Sequence, residues 1–310
     1  MPVFQQQDII EIIDGGSRLR LAPQFGGRLL SWDIDGKSVI HWPGQADWSR
    51  VAGVRGGNPL LFPFLGRHRV NGELGRWRDV SGVVREVPMH GFARDLPFAA
   101  QMLDDGKGVR MVLEDTAATR AGYPFGFRFE AVYRLVGGMA EAGALEVDLT
   151  VANTGSAGTG PLPYYAGHHF YFALPHGQRG ETELHFPPTI IRSQLPDGAI
   201  APALPGKPVC RVSDPDIHDR MHCLQGQPAE PVRIVMPGLD RQVLIDLNRP
   251  GSVPWYCVTT WTETAESDFY CVEPWLGLPD AVHNGLGLRW LAPGQAETAA
   301  LRITVGPLSG

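Results

Sequence analysis

The chain has 310 residues, 43% hydrophobic and 19% charged, with a formal net charge of −6, which provides ample material for a buried core. Acidic and basic residues are mixed along the chain rather than blocked, which argues against nucleic acid or an anionic membrane surface as the main partner. The opening MPVFQQQDIIEIIDGG has no basic region followed by an apolar one, and no run approaches 18 apolar residues, so neither a secretory leader nor a membrane span is expected. Cys210, Cys223, Cys257 and Cys271 are scattered without a CxxC pair, as expected of buried free thiols in a reducing cytoplasm rather than a zinc or disulfide framework.

In chain order, GQADWSRVAG (44–53) has room for a helical turn or two, and no longer window keeps a 3.6-residue period. Segment Gly56–Gly72, GGNPLLFPFLGRHRVNG, is an apolar stretch stiffened by Pro59 and Pro63 and ending in Gly66-Arg67. Arg67 there can donate a fixed fork of hydrogen bonds into a cleft, or it can lie solvated on an edge strand with Arg69. In MHGFARD (Met89–Asp95), Gly91 permits a turn after His90, and Arg94 follows four residues after that histidine.

Period-two alternation then dominates. VRMVLED (109–115), FRFEAVYRL (127–135), LEVDLTV (145–151) and LRITV (301–305) each place apolar side chains on one face, the mark of half-buried strands. Asp105-Gly106 and Gly137-Gly138 are hairpin turn signals. The Gly (38) and Pro (27) are spread throughout and interrupt long helices, while 192–231 is rich in Pro, Asp and Gly and reads as long loops. The expectation is all-β: one domain over 1–310, a large antiparallel β-supersandwich with few short helices.

Two stretches carry titratable groups among apolar neighbours. In GHHFYF (167–172) a strand would send His168 and Phe170 to one side and His169 and Tyr171 to the other, so one histidine of the pair faces a given cavity. In FYCVEPW (269–275), Glu273 must be ion-paired, exposed in a pocket or shifted in pKa.

Together NPLLFPFLGR (58–67), HGFAR (90–94), GHHFYF (167–172), VEPWLG (272–277) and LAPG (291–294) resemble, in order, the motifs of the aldose 1-epimerase (galactose mutarotase-like) family. The resemblance implies a β-supersandwich that interconverts the α and β anomers of a free aldose without cofactor or metal. It implies His169 as proton donor and Glu273 as general base. Arg67 and His90 would hold the sugar, and Arg94 resembles an arginine that contacts phosphate in the hexose-6-phosphate branch. A sugar-binding Asp falls at Asp219 or, one residue earlier, at His218. The implied partner is a small-molecule sugar or sugar phosphate, and the implied state a cytoplasmic monomer or homodimer. The alternatives are a hexose-6-phosphate 1-epimerase, a non-catalytic sugar-binding module, and a polysaccharide hydrolase or lyase domain. An apolar wall of Trp275 and Phe170 is expected to raise the Glu273 pKa, and a neighbouring carboxylate or carbonyl to keep His169 charged. Of the eight Trp, one or two are expected in the site.

Overall fold

A computed structural model describes residues 2–137, 143–155 and 160–308. Among these, two large antiparallel sheets dominate. A nine-stranded sheet runs in the order Ala99–Met102, Gly108–Glu114, Phe127–Val136, Gly143–Asn153, Ala296–Gly306, Arg241–Asp246, Val232–Met236, Glu183–His185, Val209–Arg211. A twelve-stranded sheet has Arg220–Leu224, Cys257–Trp261, Phe269–Trp275 and Tyr171–Ala173 as successive neighbours, continuing through Lys37–Ile40 to Arg28–Ile34 and the N-terminal strands. Residues of both sheets share the main hydrophobic core.

The four segments with clear alternation all lie in the nine-stranded sheet. In Phe127–Val136 buried and half-buried residues alternate over all ten positions, because one face packs on the core and the other meets solvent. Gly106, at φ +69°, turns the chain from Ala99–Met102 into Gly108–Glu114, with its N–H donating to Leu103 O at 2.9 Å. The second expected turn includes Gly138, which lies outside the described residues. The helical turn expected within 44–53 is a 3-10 helix, Trp48–Gly53, capped by Asp47, whose side chain accepts from the Ser49 N–H.

The loop reading of 192–231 needs correction. Arg220–Leu224 is a strand inside the twelve-stranded sheet, and Met221, His222 and Cys223 are all buried. A strand covered on both faces has no alternation to read. Within the described residues, no helix is long and apolar enough to cross a membrane.

The Pro-stiffened segment is fastened at both ends. Phe62 stacks on Phe129 of the nine-stranded sheet, centroids 4.5 Å apart, and Phe64 stacks on Tyr165 at 5.0 Å. Gly91, at φ +77°, lies where a Cβ would fall 2.0 Å from Phe62 O, so only glycine lets HGFAR dock against NPLLFP. These contacts hold Arg67, His90 and Arg94 on one side of the molecule.

Candidate active site

A pocket opens over the middle of the twelve-stranded sheet. All six residues singled out in the sequence, His169, Glu273, Arg67, His90, Arg94 and Asp219, line it. His218 is not among the lining residues, so the pocket receives Asp219, which sits at φ +54° just before the strand Arg220–Leu224.

Glu273 occupies the wholly buried strand Phe269–Trp275, cross-strand from Thr259. The strand expected through 167–172 is broken into Gly167–His168 and Tyr171–Ala173, with His169 and Phe170 between them, but the alternation of sides persists: His168 stacks on Phe170 at 4.7 Å, and His169 stacks on Tyr171 at 4.8 Å with planes 9° apart. His169 Nδ1 lies 3.5 Å from Glu273 Oε1, and neither that nitrogen nor Glu273 Oε2 has a hydrogen-bond partner. Glu273 is 1% exposed and makes no ion pair with an arginine among the described residues.

Burial pushes the Glu273 carboxyl well above its ordinary range, and the nearby charge of Asp219 reinforces the shift. Trp275 lines the pocket as expected, but Phe170 lies on the His168 side of the chain and is not a lining residue. Against the expectation that a neighbouring group keeps His169 charged, burial, then the guanidiniums of Arg28 and Arg94, push its pKa down from 6.5. The pair therefore favours a state holding one proton with little net charge separation.

His90 accepts the Gly66 backbone N–H at its Nδ1, 3.1 Å away, which leaves Nε2–H as the donor of its neutral ring. Burial and the neighbouring His169, Arg94 and Arg67 hold that ring well below its usual pKa. Trp261 and Trp275 line the pocket, while Trp255 is core and Trp42 packs on Trp48.

Sequence reasoning missed Arg55, which reaches the pocket beside Arg94. Its guanidinium donates to Glu263 at 2.9 Å and lies 5.3 Å from the Trp261 ring centre. Buried Arg28 donates to the carbonyls of Val54 and Gly56, on either side of Arg55, so the loop that presents this residue is pinned. The available signal was position: Arg55 stands three residues before Asn58, at the edge of the motif. Arg69, by contrast, turns to Gly72 O and is not a lining residue.

Donor atoms of His169, Cys271 and Glu273 all lie within 4.8 Å of one another, close enough to share an ion. Burial holds the Cys271 thiol well above its ordinary pKa, and such a thiol must lose its proton before it can ligate. All four cysteines are free and buried.

A family model described as aldose 1-epimerase matches residues 8–304. A Salmonella typhimurium protein provisionally named glucose-6-phosphate 1-epimerase is 29% identical over 114 residues, a match spanning 36% of this chain and only 34% of that protein. Among solved structures, a galactose mutarotase related enzyme from Lactobacillus acidophilus superposes with a TM-score of 0.79 at 21% identity, covering 96% of this chain and 97% of the other. A galactose 1-epimerase from the same species gives 0.64 at 15% identity over 100% and 98% of the two chains. A Synechocystis sp. PCC 6803 protein gives 0.78 at 22% identity over 99% of each. These likenesses carry the mostly β, galactose mutarotase-like fold, and with the family match along nearly its whole length the chain belongs to the aldose 1-epimerase family.

Proposed function

We propose that the protein is an aldose 1-epimerase that interconverts the anomers of an aldose by acid/base opening and closing of the ring. The observation that carries this reading is the His169–Glu273 pair, 3.5 Å apart at the pocket and free of any arginine counter-ion to Glu273. Ring opening needs a base for the proton of the C1 hydroxyl and an acid for the ring oxygen; closure on the other face reverses the roles. A pair that shares one proton supplies both. In the resting pair that proton is on the Glu273 carboxyl; its transfer to His169 gives carboxylate and imidazolium, and from that form Glu273 takes the hydroxyl proton and His169 protonates the ring oxygen. Each positioned proton-transfer group is worth roughly 10²–10⁴ in rate. His90 Nε2–H, Arg67 and Asp219 offer donors and an acceptor to sugar hydroxyls, and Trp261 and Trp275 offer aromatic surface. A binding module needs no such acid/base pair, which disfavours the non-catalytic alternative.

A second reading, a sugar bearing phosphate, is supported by the guanidiniums of Arg55, Arg67 and Arg94 at one pocket. Planar guanidinium forks suit phosphate oxygens. Four free buried thiols support a reducing, cytoplasmic compartment. The family match over 8–304 supports a single domain.

The test is polarimetry of freshly dissolved α-glucose, α-galactose and, by a β-specific coupled assay, glucose 6-phosphate, with protein titrated in. Acceleration over buffer that scales with protein is expected for at least one. Binding without acceleration of any would overturn the catalytic reading, and equal rates with and without phosphate would remove the second.

A further inference from the structure

The paired histidines leave one ring, His168, outside the pocket, wholly buried and yet bonded to the machinery. Its Nδ1 lies 2.9 Å from Asn58 Nδ2. Asn58 is wholly buried as well, and its side chain makes three polar contacts: Oδ1 accepts the His169 backbone N–H at 2.8 Å, while Nδ2 reaches Tyr133 Oη at 2.8 Å and His168 Nδ1. Proton bookkeeping fixes the arrangement. The His169 N–H can only donate, so the Asn58 atom facing it is the oxygen. The two amide hydrogens of Asn58 then go one each to Tyr133 Oη and His168 Nδ1. His168 Nδ1 must therefore be an acceptor, and its ring is the neutral Nε2–H tautomer.

The unit is anchored on three sides. Tyr133 belongs to Phe127–Val136 of the nine-stranded sheet, so Asn58 ties the His168–His169 segment to the opposite sheet. Gly57, at φ +71°, sits where a Cβ would fall 2.2 Å from Leu29 O, and this close approach lets the Asn58 N–H donate to the same carbonyl at 2.8 Å. The His168 carbonyl accepts from Trp275 Nε1 at 3.1 Å, and Trp275 is a wall of the pocket.

We propose that Asn58 and His168 are positioning residues for His169: His168 serves as an obligate hydrogen-bond acceptor that holds the Asn58 amide in the one orientation that grips the His169 backbone. Flipping that amide would set its NH₂ against the His169 N–H, donor to donor. The inference rests on His169 being a proton-transfer group.

The experiment compares His168→Phe, His168→Asn and Asn58→Ala with His169→Asn as reference, measuring kcat and KM by polarimetry on whichever sugar the wild type turns over, and folding by near-UV circular dichroism. Phenylalanine keeps the ring that stacks on Phe170 but removes the acceptor. The Oδ1 of asparagine can restore an acceptor where Nδ1 was. A misplaced reacting group can lose up to about 10²-fold in rate, so folded His168→Phe and Asn58→Ala should lose roughly 10-fold or more in kcat with KM changed by less than about threefold. His168→Asn should recover most of that loss. Folded His168→Phe with kcat within about twofold of wild type overturns the proposal, as does a His168→Asn variant no better than His168→Phe or a loss confined to KM. Should Asn58→Ala fail to fold, the two His168 variants decide alone. Wild-type rates in His169→Asn would remove the proton-transfer reading, and the positioning claim with it. An inactive His169→Asn beside an active His168→Phe would remove only the positioning claim.

Discussion

Replacing Glu273 by Gln separates catalysis from stability in a way this pocket makes unusually clear. The side chain keeps its shape and loses its ability to take a proton, so the anomerisation rate should fall by roughly 10²–10⁴. That corresponds to about 2.7–5.4 kcal/mol of transition-state stabilisation. The effect on folding should have the opposite character. Breaking a buried ion pair typically costs about 3–5 kcal/mol, but Glu273 has no arginine partner to orphan. Its carboxyl pKa is raised in the fold, so the sign is fixed. The folded state holds a proton that the unfolded chain releases above about pH 4.5, and each unit of such a shift removes about 1.4 kcal/mol of stability as pH rises toward the folded value. Glutamine removes this penalty, so Glu273→Gln should match or exceed the wild-type melting temperature at pH 7 while equalling it more closely near pH 4. Polarimetry on the active sugar, with buffer-catalysed mutarotation subtracted, gives the rate, and calorimetry at the two pH values gives the stability. A variant that melts well below wild type at pH 7 while keeping a tenth or more of its rate would refute the argument, since Glu273 would then be a structural anion.

His169→Asn should lose at least about 10² in rate in the same assay, and a smaller loss would shift the acid role to another group. If the sugar carries phosphate, Arg94→Ala and Arg55→Ala should each raise KM for glucose 6-phosphate by about tenfold or more and leave glucose within a few-fold; unchanged KM for the phosphorylated sugar would end that reading. Acid should destabilise the fold through histidines buried neutral: burial pushes His68 and His222 down to about 4 and His168 to about 3. Below about pH 6.5 the unfolded chain binds protons that the folded chain refuses, so each histidine removes up to about 1.4 kcal/mol per pH unit as pH falls toward its folded value. His222 stacks on Phe186 at 3.9 Å with both ring nitrogens unpartnered, so His222→Phe should flatten the fall in melting temperature between pH 7 and 4.5. An unchanged slope would mean that His222 is protonated in the folded state.

Much of the chemistry was legible from residue order alone. Period two exposed four strands of the nine-stranded sheet, because each of those four has one wet face; Phe127–Val136 alternates without a break. Alternation also separated His169 from His168 before any distance was known, because successive side chains of extended backbone point to opposite sides even where, as at His169-Phe170, strand pairing lapses. The charge state of Glu273 was flagged by a carboxylate standing in an apolar run. Other facts depended on neighbours far away in sequence. Phe269–Trp275 and Arg220–Leu224 are buried on both faces, so they carry no period that marks them as strands. Arg55 enters the pocket only because buried Arg28, 27 positions earlier, holds the carbonyls that flank it. His169 was expected to be held charged, and the downward push on its pKa comes from burial and from arginines distant in sequence. The joining of Asn58 to Tyr133 and His168 across 75 and 110 residues likewise comes from the packing of one sheet on the other. Periodicity and residue type act within a few residues and so are written in the order of the chain. Desolvation, pocket membership and hydrogen-bond orientation are sums over everything nearby in space, and only the tertiary structure sets what is near.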